Sequence, residues 1–389
     1  MATDAELLGI RRHLHAHPEL SLREHRTAEY IEERLRGFGV TSIERVAETG
    51  VVALIQGAQP GPVWAYRADI DALPIQEVSG AEYKSRNPGV MHACGHDVHT
   101  TVALGLAREL QRRRDELVGG VKILFQPAEE ASPEDEPIGA ERMVQEGVLD
   151  APEVEAVFAM HCMPALDAGK IGYTGGPVWA ASQLVEITVR GKKAHGAYPH
   201  EGIDAVAIAA QLVVGLQQVV SRSVDARQAC VLTIGSLQAG NSYNIIADEA
   251  KLVGILRSLS EEALEVARGQ IQQIVTSLPA AFGAEAELKL TPGANLTANH
   301  LPLERAVVSR LQARFSADVV VPHPPQLGAE DFSAFSRRRP GCYLFLGVRN
   351  RERGIEHALH TPSFDVDESC IGLGVEAMTE ILLKKDATF

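Results

Sequence analysis

The sequence predicts a two-domain α/β protein with the smaller domain inserted into the larger. Three observations support this. Apolar β-rich runs alternate with amphipathic helical segments through residues 1–180, a different order of elements fills 181–292, and the first pattern resumes over 293–389. Continuous apolar strands separated by helices indicate a parallel or mixed sheet covered by helices on both faces.

Residues 4–14 and 23–38 place apolar side chains three and four apart, the spacing of amphipathic helices. Four strand-like runs follow: "GVVALIQG" (50–57), "GPVWAYRADID" (61–71), "GVKILFQPAEE" (120–130) and "EVEAVFAMHCMP" (153–164). Between them "HTTVALGLARELQRRRDEL" (99–117) has helical spacing. From 182 the order is strand, helix, strand, strand, helix, strand, ending with "AEAELKL". This βαββαβ order is that of a ferredoxin-like split unit. Ser260 is placed to cap the second helix of that unit, with Glu261 and Glu262 in its first turn. A helix over 302–315, an apolar strand over 341–348 and a helix from about 367 to 385 complete the chain.

Composition narrows the function. A length of 389 residues fits two or three domains, and 45% apolar with 23% charged residues is ordinary for a globular enzyme. A net charge of −14 argues against nucleic-acid binding, which needs a basic surface. The opening "MATDAELLGIRRHLHAHPEL" lacks the apolar core of a signal peptide. No run approaches the roughly 18 uncharged apolar residues of a membrane span. Five widely spaced cysteines (Cys94, Cys162, Cys230, Cys342 and Cys370) do not form a disulfide framework. The expected compartment is the reducing cytoplasm.

Polar clusters sit at or just after the predicted strands. They are Asp69 with Asp71, Glu129 with Glu130, His161 with Cys162, and His357 with His360. A further cluster, "MHACGHDVHT" (91–100), precedes a helix and holds three of the 14 histidines beside Cys94. Sites in open α/β sheets form beyond the carboxyl ends of strands, so these clusters can converge. Thiolate, imidazole and carboxylate together are transition-metal ligands. Gly95 lets the backbone bend between Cys94 and His96. In an extended segment Glu129 and Glu130 point to opposite sides, so one can bind metal while the other moves protons. An alternative is Cys94 as the nucleophile of a thiol amidase with a histidine base, which leaves the carboxylate pairs unexplained. His13, His15, His17, His25, His200, His300 and His323 carry little weight individually. Asp97 and His99 either orient ligands or serve as a helix cap and a solvated residue; His92 and His357 stay equally open.

The motifs "RRHLHAHPELSLREHRTAEYI", "RADIDALPI", "MHACGHDVHT", "FQPAEE", "MHCMP", "GKKAHGAYPHEGIDA", "SYNIIADEA" and "LHTPSFDVDE" occur in this order. Together they resemble the metallo-amidohydrolase family of aminoacylases, hippurate hydrolases, auxin-conjugate hydrolases and related carboxypeptidases. The resemblance spans nearly the whole chain. It implies a zinc-peptidase-like catalytic domain with an inserted lid and dimerisation domain, and hydrolysis of N-acyl amino acids or short peptides. It also implies two divalent metal ions per chain, zinc first, with manganese, cobalt or nickel as alternatives. Cys94, His96, Glu130, His161 and His360 match the family's metal ligands, and Glu129 matches its general base. His195 matches a lid histidine that stabilises the tetrahedral intermediate, typically across a homodimer. Asn244 and Arg257 match lid positions near the substrate, with Arg257 meeting its carboxylate. Asp69 and Asp71 stand where sister subfamilies carry a His-x-Asp metal motif; here the resemblance makes them supporting or structural residues. The chain departs from the family after "PAEE", where "ASPEDEPIGAERM" is long and acidic. Glu134, Asp135 and Glu136 either form a solvated loop or bias the site mouth against anions.

Overall fold

The computed structural model describes residues 4–130 and 139–383. Glu134, Asp135 and Glu136, and the end of the helix expected to reach 385, lie outside the described residues. The chain divides into two compact units, one of Met1–Gly176, Ala298–Pro324 and Asp331–Phe389, the other of Pro177–Thr297 and Pro325–Glu330.

The first unit begins with α1 (Ala5–Ala16), α2 (His25–Gly37), β1 (Ser42–Val46), β2 (Gly50–Gln56), β3 (Gln59–Asp69) and α3 (His96–Arg112). It continues through β4 (Val118–Gln126), α4 (Gly139–Gln145), β5 (Val154–Asp167) and β6 (Ile171–Tyr173). The second unit supplies β7 (Pro177–Trp179), β8 (Ala181–Arg190), β9 (Ala194–His195), α5 (Ala205–Gln218), β10 (Cys230–Ala239), β11 (Ile245–Ile246), β12 (Glu249–Ser258), α6 (Glu261–Ala281) and β13 (Glu285–Pro292). After the short β14 (Thr297–Ala298), the chain forms α7 (Leu301–Phe315), β15 (Val320–Pro322), α8 (Ser333–Ser336), β16 (Gly341–Arg349) and α9 (Cys370–Leu383).

The first unit is built on a mixed eight-stranded sheet in the order β1-β2-β4-β3-β5-β16-β6-β15. β3 runs parallel to both β4 and β5, with Asp69 beside Gln126 and Arg67 beside Ala159. The carboxyl ends of β3 and β4 and the His161 stretch of β5 therefore share one edge. Its core includes Trp64, Tyr66, Phe125, Phe158 and Leu344 from the strands with Leu104, Leu110, Met378 and Leu382 from the helices. Leu104 on α3 is fully buried. Truncating it to alanine leaves a cavity that surrounding atoms fill only in part, and Leu104→Ala is expected to cost about 2–5 kcal/mol. The check is the urea unfolding midpoint.

Two local differences from the sequence reading shape the site. α3 starts at His96 because Gly95 takes the left-handed N-cap conformation at φ 88° and Asp97 places a negative charge in the first turn. β5 runs on to Asp167 because β16 keeps pairing, Phe345 with His161 and Arg349 with Asp167. His161 and Cys162 thus lie within a strand rather than at its end.

In the second unit the four-stranded sheet has the order β10-β12-β8-β13, and all three pairings are antiparallel. β12 alternates exposed and buried residues, so one face is covered and the other open. The covered face packs Val185, Ile187, Leu252 and Leu256 with Ile208, Leu212 and Leu216 of α5 and Leu264, Ile271 and Val275 of α6. Ala205–Ser223 matches a membrane segment by composition, with mean hydropathy 1.3. Its Ile208, Leu212 and Leu216 are buried in this cluster, so one face of the segment packs on the sheet. Asp204 caps α5 by accepting from the Val206 and Ala207 N–H groups, and Ser260 caps α6 by accepting from Ala263 N–H. A separate two-stranded ribbon pairs His195 of β9 with Ile245 of β11.

Candidate metal centre

Every predicted ligand except His161, which lies within β5, is set by a short, constrained piece of backbone. Cys94 and His96 flank Gly95 at the head of α3. An alanine Cβ at Gly95 would lie 2.8 Å from both the Cβ and Sγ of Cys162. Glu129 and Glu130 follow Ala128, which has φ 53° and donates its N–H to Glu24 at 2.8 Å. His360 sits in the loop after β16 at φ 61°, and its N–H donates to the Ala93 carbonyl at 2.8 Å. Non-glycine residues held in the left-handed region concentrate at functional sites, where the surroundings over-determine them.

These turns bring the five predicted ligands together. Cys94, His96 and His161 form one group with donor atoms within 4.8 Å of one another, and Cys94, Glu130 and His360 form a second. The Cys94 sulfur lies 3.4 Å from Nε2 of His161 and 3.4 Å from Nε2 of His360, so it belongs to both. His360 Nε2 is 3.1 Å from Glu130 Oε1, and His96 Nε2 is 3.9 Å from the same oxygen. Glu129 Oε2 lies 4.0 Å from His96 Nε2, beside the ligands rather than among the two groups sharing Cys94. All but His360 are buried or nearly so; His360 is half-exposed.

The centre is electrostatically incomplete as it stands. His96 Nε2 is buried without a hydrogen-bond partner, and Glu130 Oε1, also buried, faces the His360 ring nitrogen. A buried polar group without a partner is costly and calls for a counter-ion or ligand. Burial pushes the Cys94 thiol well above its ordinary pKa, and Glu130, Glu129 and Asp69 add to the push. Burial likewise holds His161 neutral, with His99 contributing. For His96 burial opposes charge, but Asp69, Asp71 and Glu130 outweigh it and raise the pKa to about 10. A bound divalent cation inverts this balance, because it favours the thiolate and takes the place of the imidazolium proton. Three imidazoles on separate elements, a thiol and a carboxylate brought this close fit such ions.

The residues behind the ligands are placed as well. His96 Nδ1 faces the Asp71 carboxylate at 3.1 Å and the Asp71 carbonyl at 2.9 Å. The other Asp71 oxygen accepts from the Ser21 hydroxyl and the Glu130 N–H, tying two ligands to one carboxylate. Asp97 turns away from the ligands: its Oδ2 takes Arg11 Nε at 2.9 Å and lies 2.8 Å from His15 Nδ1. Arg11 also covers the Tyr83 ring at 4.7 Å. The first helix is thereby bolted to the head of α3. His15 gains a role that the sequence reading did not assign it; the available signal was its i,i+4 spacing from Arg11. His92 is buried with neither ring nitrogen hydrogen-bonded, and burial lowers its pKa to about 4, leaving a neutral ring. His357 is exposed.

The remaining predicted residues belong to the second unit. His195 and Asn244 are neighbours on the β9–β11 ribbon, where Gly196 N–H donates to the Asn244 carbonyl at 2.7 Å. His195 Nδ1 accepts from Ala197 N–H at 3.1 Å, which leaves the proton on Nε2. The Asn244 amide oxygen accepts from Ser242 at 2.7 Å. Arg257 lies apart on β12, beside Val231 and Ser182. Its Nη1 is buried without a partner, and burial lowers its pKa.

Residues 65–384 match peptidase family M20/M25/M40. The chain is 44% identical over 288 residues to an N-acyl-L-amino acid amidohydrolase of Geobacillus stearothermophilus, spanning 74% of this chain and 76% of that one. It is 37% identical to thermostable carboxypeptidase 2 of Saccharolobus solfataricus, over 97% and 95% of the two chains. The crystal structure of a dinuclear metal binding peptidase of the M20 family from Bacillus subtilis matches at TM-score 0.85 and 35% identity, covering 97% of each chain. The chain belongs to peptidase family M20/M25/M40 and is a hydrolase.

Proposed function

We propose that the chain is a two-metal amidohydrolase that cleaves the amide bond of an N-acyl amino acid, releasing a carboxylic acid and a free amino acid. The observation that carries this reading is the pair of donor groups meeting at Cys94, with His96 Nε2 buried beside it without a hydrogen-bond partner. Cys94, His96 and His161 would hold one ion, and Cys94, Glu130 and His360 the other. Zinc suits the sulfur and nitrogen donors; manganese, cobalt and nickel are alternatives that metal analysis separates. Bound there, the ions supply Lewis acidity for the scissile carbonyl and the attacking water.

The chain's own side chains do the rest. The Glu129 carboxylate takes the proton of the attacking water and passes it to the leaving amine. His195, protonated at Nε2, donates to the developing oxyanion. The unpaired Arg257 guanidinium grips the substrate carboxylate through two parallel hydrogen bonds, and Asn244 contacts the substrate beside His195. The thiol-amidase alternative needs a depressed thiol pKa, and burial drives Cys94 the other way.

The second unit serves as lid and dimerisation domain in this reading. In its support, β10 is an edge strand of the four-stranded sheet and carries the exposed Leu237. Light scattering is expected to give a dimer; a monomer at working concentration overturns this part.

The test is metal content on protein purified without chelator, with hydrolysis of N-acetyl-methionine and hippurate before and after chelation. The expected result is about two metals per chain and activity that disappears on chelation and returns with added zinc or manganese. Activity that survives chelation but is lost to iodoacetamide overturns the reading. The carboxypeptidase name of the Saccharolobus solfataricus relative favours a second substrate class. A panel of dipeptides against N-acetyl amino acids decides between them.

A further inference from the structure

Asp69 and His99 are not among the predicted metal ligands, yet both are buried at the centre's inner wall, where one Asp69 oxygen lies 3.7 Å from His96 Nε2 and the other meets His99. His99 lies one turn after His96 on α3. Its Nδ1 is 2.5 Å from the Asp69 carboxylate, and its Nε2 is 2.8 Å from the backbone N–H of Cys162. A backbone N–H can only donate. Nε2 must therefore present its lone pair, and the ring proton must sit on Nδ1, facing Asp69. Both nitrogens of His99 are then in use. Asp69, His96 and His99 lie close enough to form a metal group by distance alone, but His99 has no lone pair left to offer.

The Cys162 peptide is held from its other side as well. Its carbonyl accepts from Nδ1 of His161 at 2.7 Å, which leaves Nε2 of His161 directed at the Cys94 sulfur. The His99 and His161 rings also pack with centroids 4.6 Å apart. A chain of contacts therefore runs from Asp69 through His99 and the Cys162 peptide to His161. Its outer end is anchored: Arg67 binds Asp69 at 2.8 Å and Asp331 at 2.8 Å, and Gln126 accepts from Arg67 Nε at 2.7 Å.

We infer that Asp69 and His99 form a positioning couple that fixes the orientation and tautomer of His161 through the Cys162 peptide. The two aspartates of "RADIDA" then divide the work. Asp71 orients His96 at Nδ1, and Asp69, besides facing His96 Nε2 at 3.7 Å, orients His161 at two removes. This inference rests on the two-metal reading for the identity of His161 as a ligand.

The test compares wild type with His99→Leu and His99→Gln. Each apoprotein is titrated with zinc and with cobalt(II) against a chromophoric chelator, and unfolding midpoints are measured in parallel. In His99→Leu one metal equivalent is expected to weaken by roughly 10–100-fold, the usual cost of losing a partner behind a ligand. The cobalt(II) absorption should shift with it. His99→Gln can still accept from Cys162 N–H and should recover most of the loss. Wild-type affinities and an unchanged cobalt spectrum in a folded His99→Leu overturn the inference, whatever the unfolding midpoint does. Should His99→Leu fail to fold, ring-nitrogen NMR of the wild type decides: the inference requires an unprotonated His99 Nε2, and a protonated one overturns it. A wild type that binds no metal removes the two-metal reading instead, and the ring-nitrogen measurement still stands on its own.

Discussion

Glu129→Gln is expected to lower kcat by roughly 10²–10⁴-fold, the range for loss of a general base. The substitution keeps volume and one hydrogen-bonding oxygen but cannot take a proton. The Cys94, His96, Glu130, His161 and His360 donors are untouched, so metal content should stay at two per chain and the unfolding midpoint should move little. KM should change less than kcat, because the lost interaction belongs to the transition state. Steady-state kinetics on N-acetyl-methionine with parallel metal analysis makes the check. Activity within tenfold of wild type would take the proton-transfer role from Glu129.

Gly95→Ala is expected to abolish activity and metal binding together. Two separate penalties act at this position. The backbone is left-handed at φ 88°, which strains an L residue by about 1–2 kcal/mol. The new Cβ would also meet Cys162 Cβ and Sγ at 2.8 Å, inside any normal contact distance. Cys162 cannot give way, because its N–H is engaged by His99 and its carbonyl by His161. The head of α3 must shift instead, carrying Cys94 and His96 off the centre. Gly354→Ala is the matched control: φ is 69° but the Cβ would have open space. Loss of metal in the first variant and not in the second, measured by metal analysis, separates the clash from the strain.

Much of this centre was legible in the sequence because its residue types have few other uses in combination. Cys94, His96, Glu130, His161 and His360 converge as donors, although His161 lies within β5 rather than at a strand end. The supports were harder to see. Asp69 and Asp71 read only as supporting or structural residues, since nothing in "RADIDA" says that Asp71 meets His96 Nδ1 and Asp69 meets His99. His15 carried little weight by itself and Arg11 none, because their burial depends on Asp97, more than 80 positions away. The start of α3 was placed too late because a histidine-rich turn capped by glycine does not show helical apolar spacing. Short pieces such as β6, β9 and β15 exist only through their partners, so no local pattern marks them.

The pairing of β8 with β13 bears on how the chain reaches this structure during synthesis. These two strands are the first and last of the second unit's sheet, and Gln183 lies beside Pro292. In the first unit, β5 must find β16, with Val157 beside Gly341. Everything between them has left the ribosome before β16 appears. Domains generally fold as units while later residues are still being made. Once the second unit has closed, the long stretch between β5 and β16 is spanned by a structure whose two ends emerge side by side. The entropy of closing that loop then falls to that of a much shorter one. The last of the predicted ligands, His360, follows β16 in the chain, so the donor set is complete only after the sheet's last strand has been made.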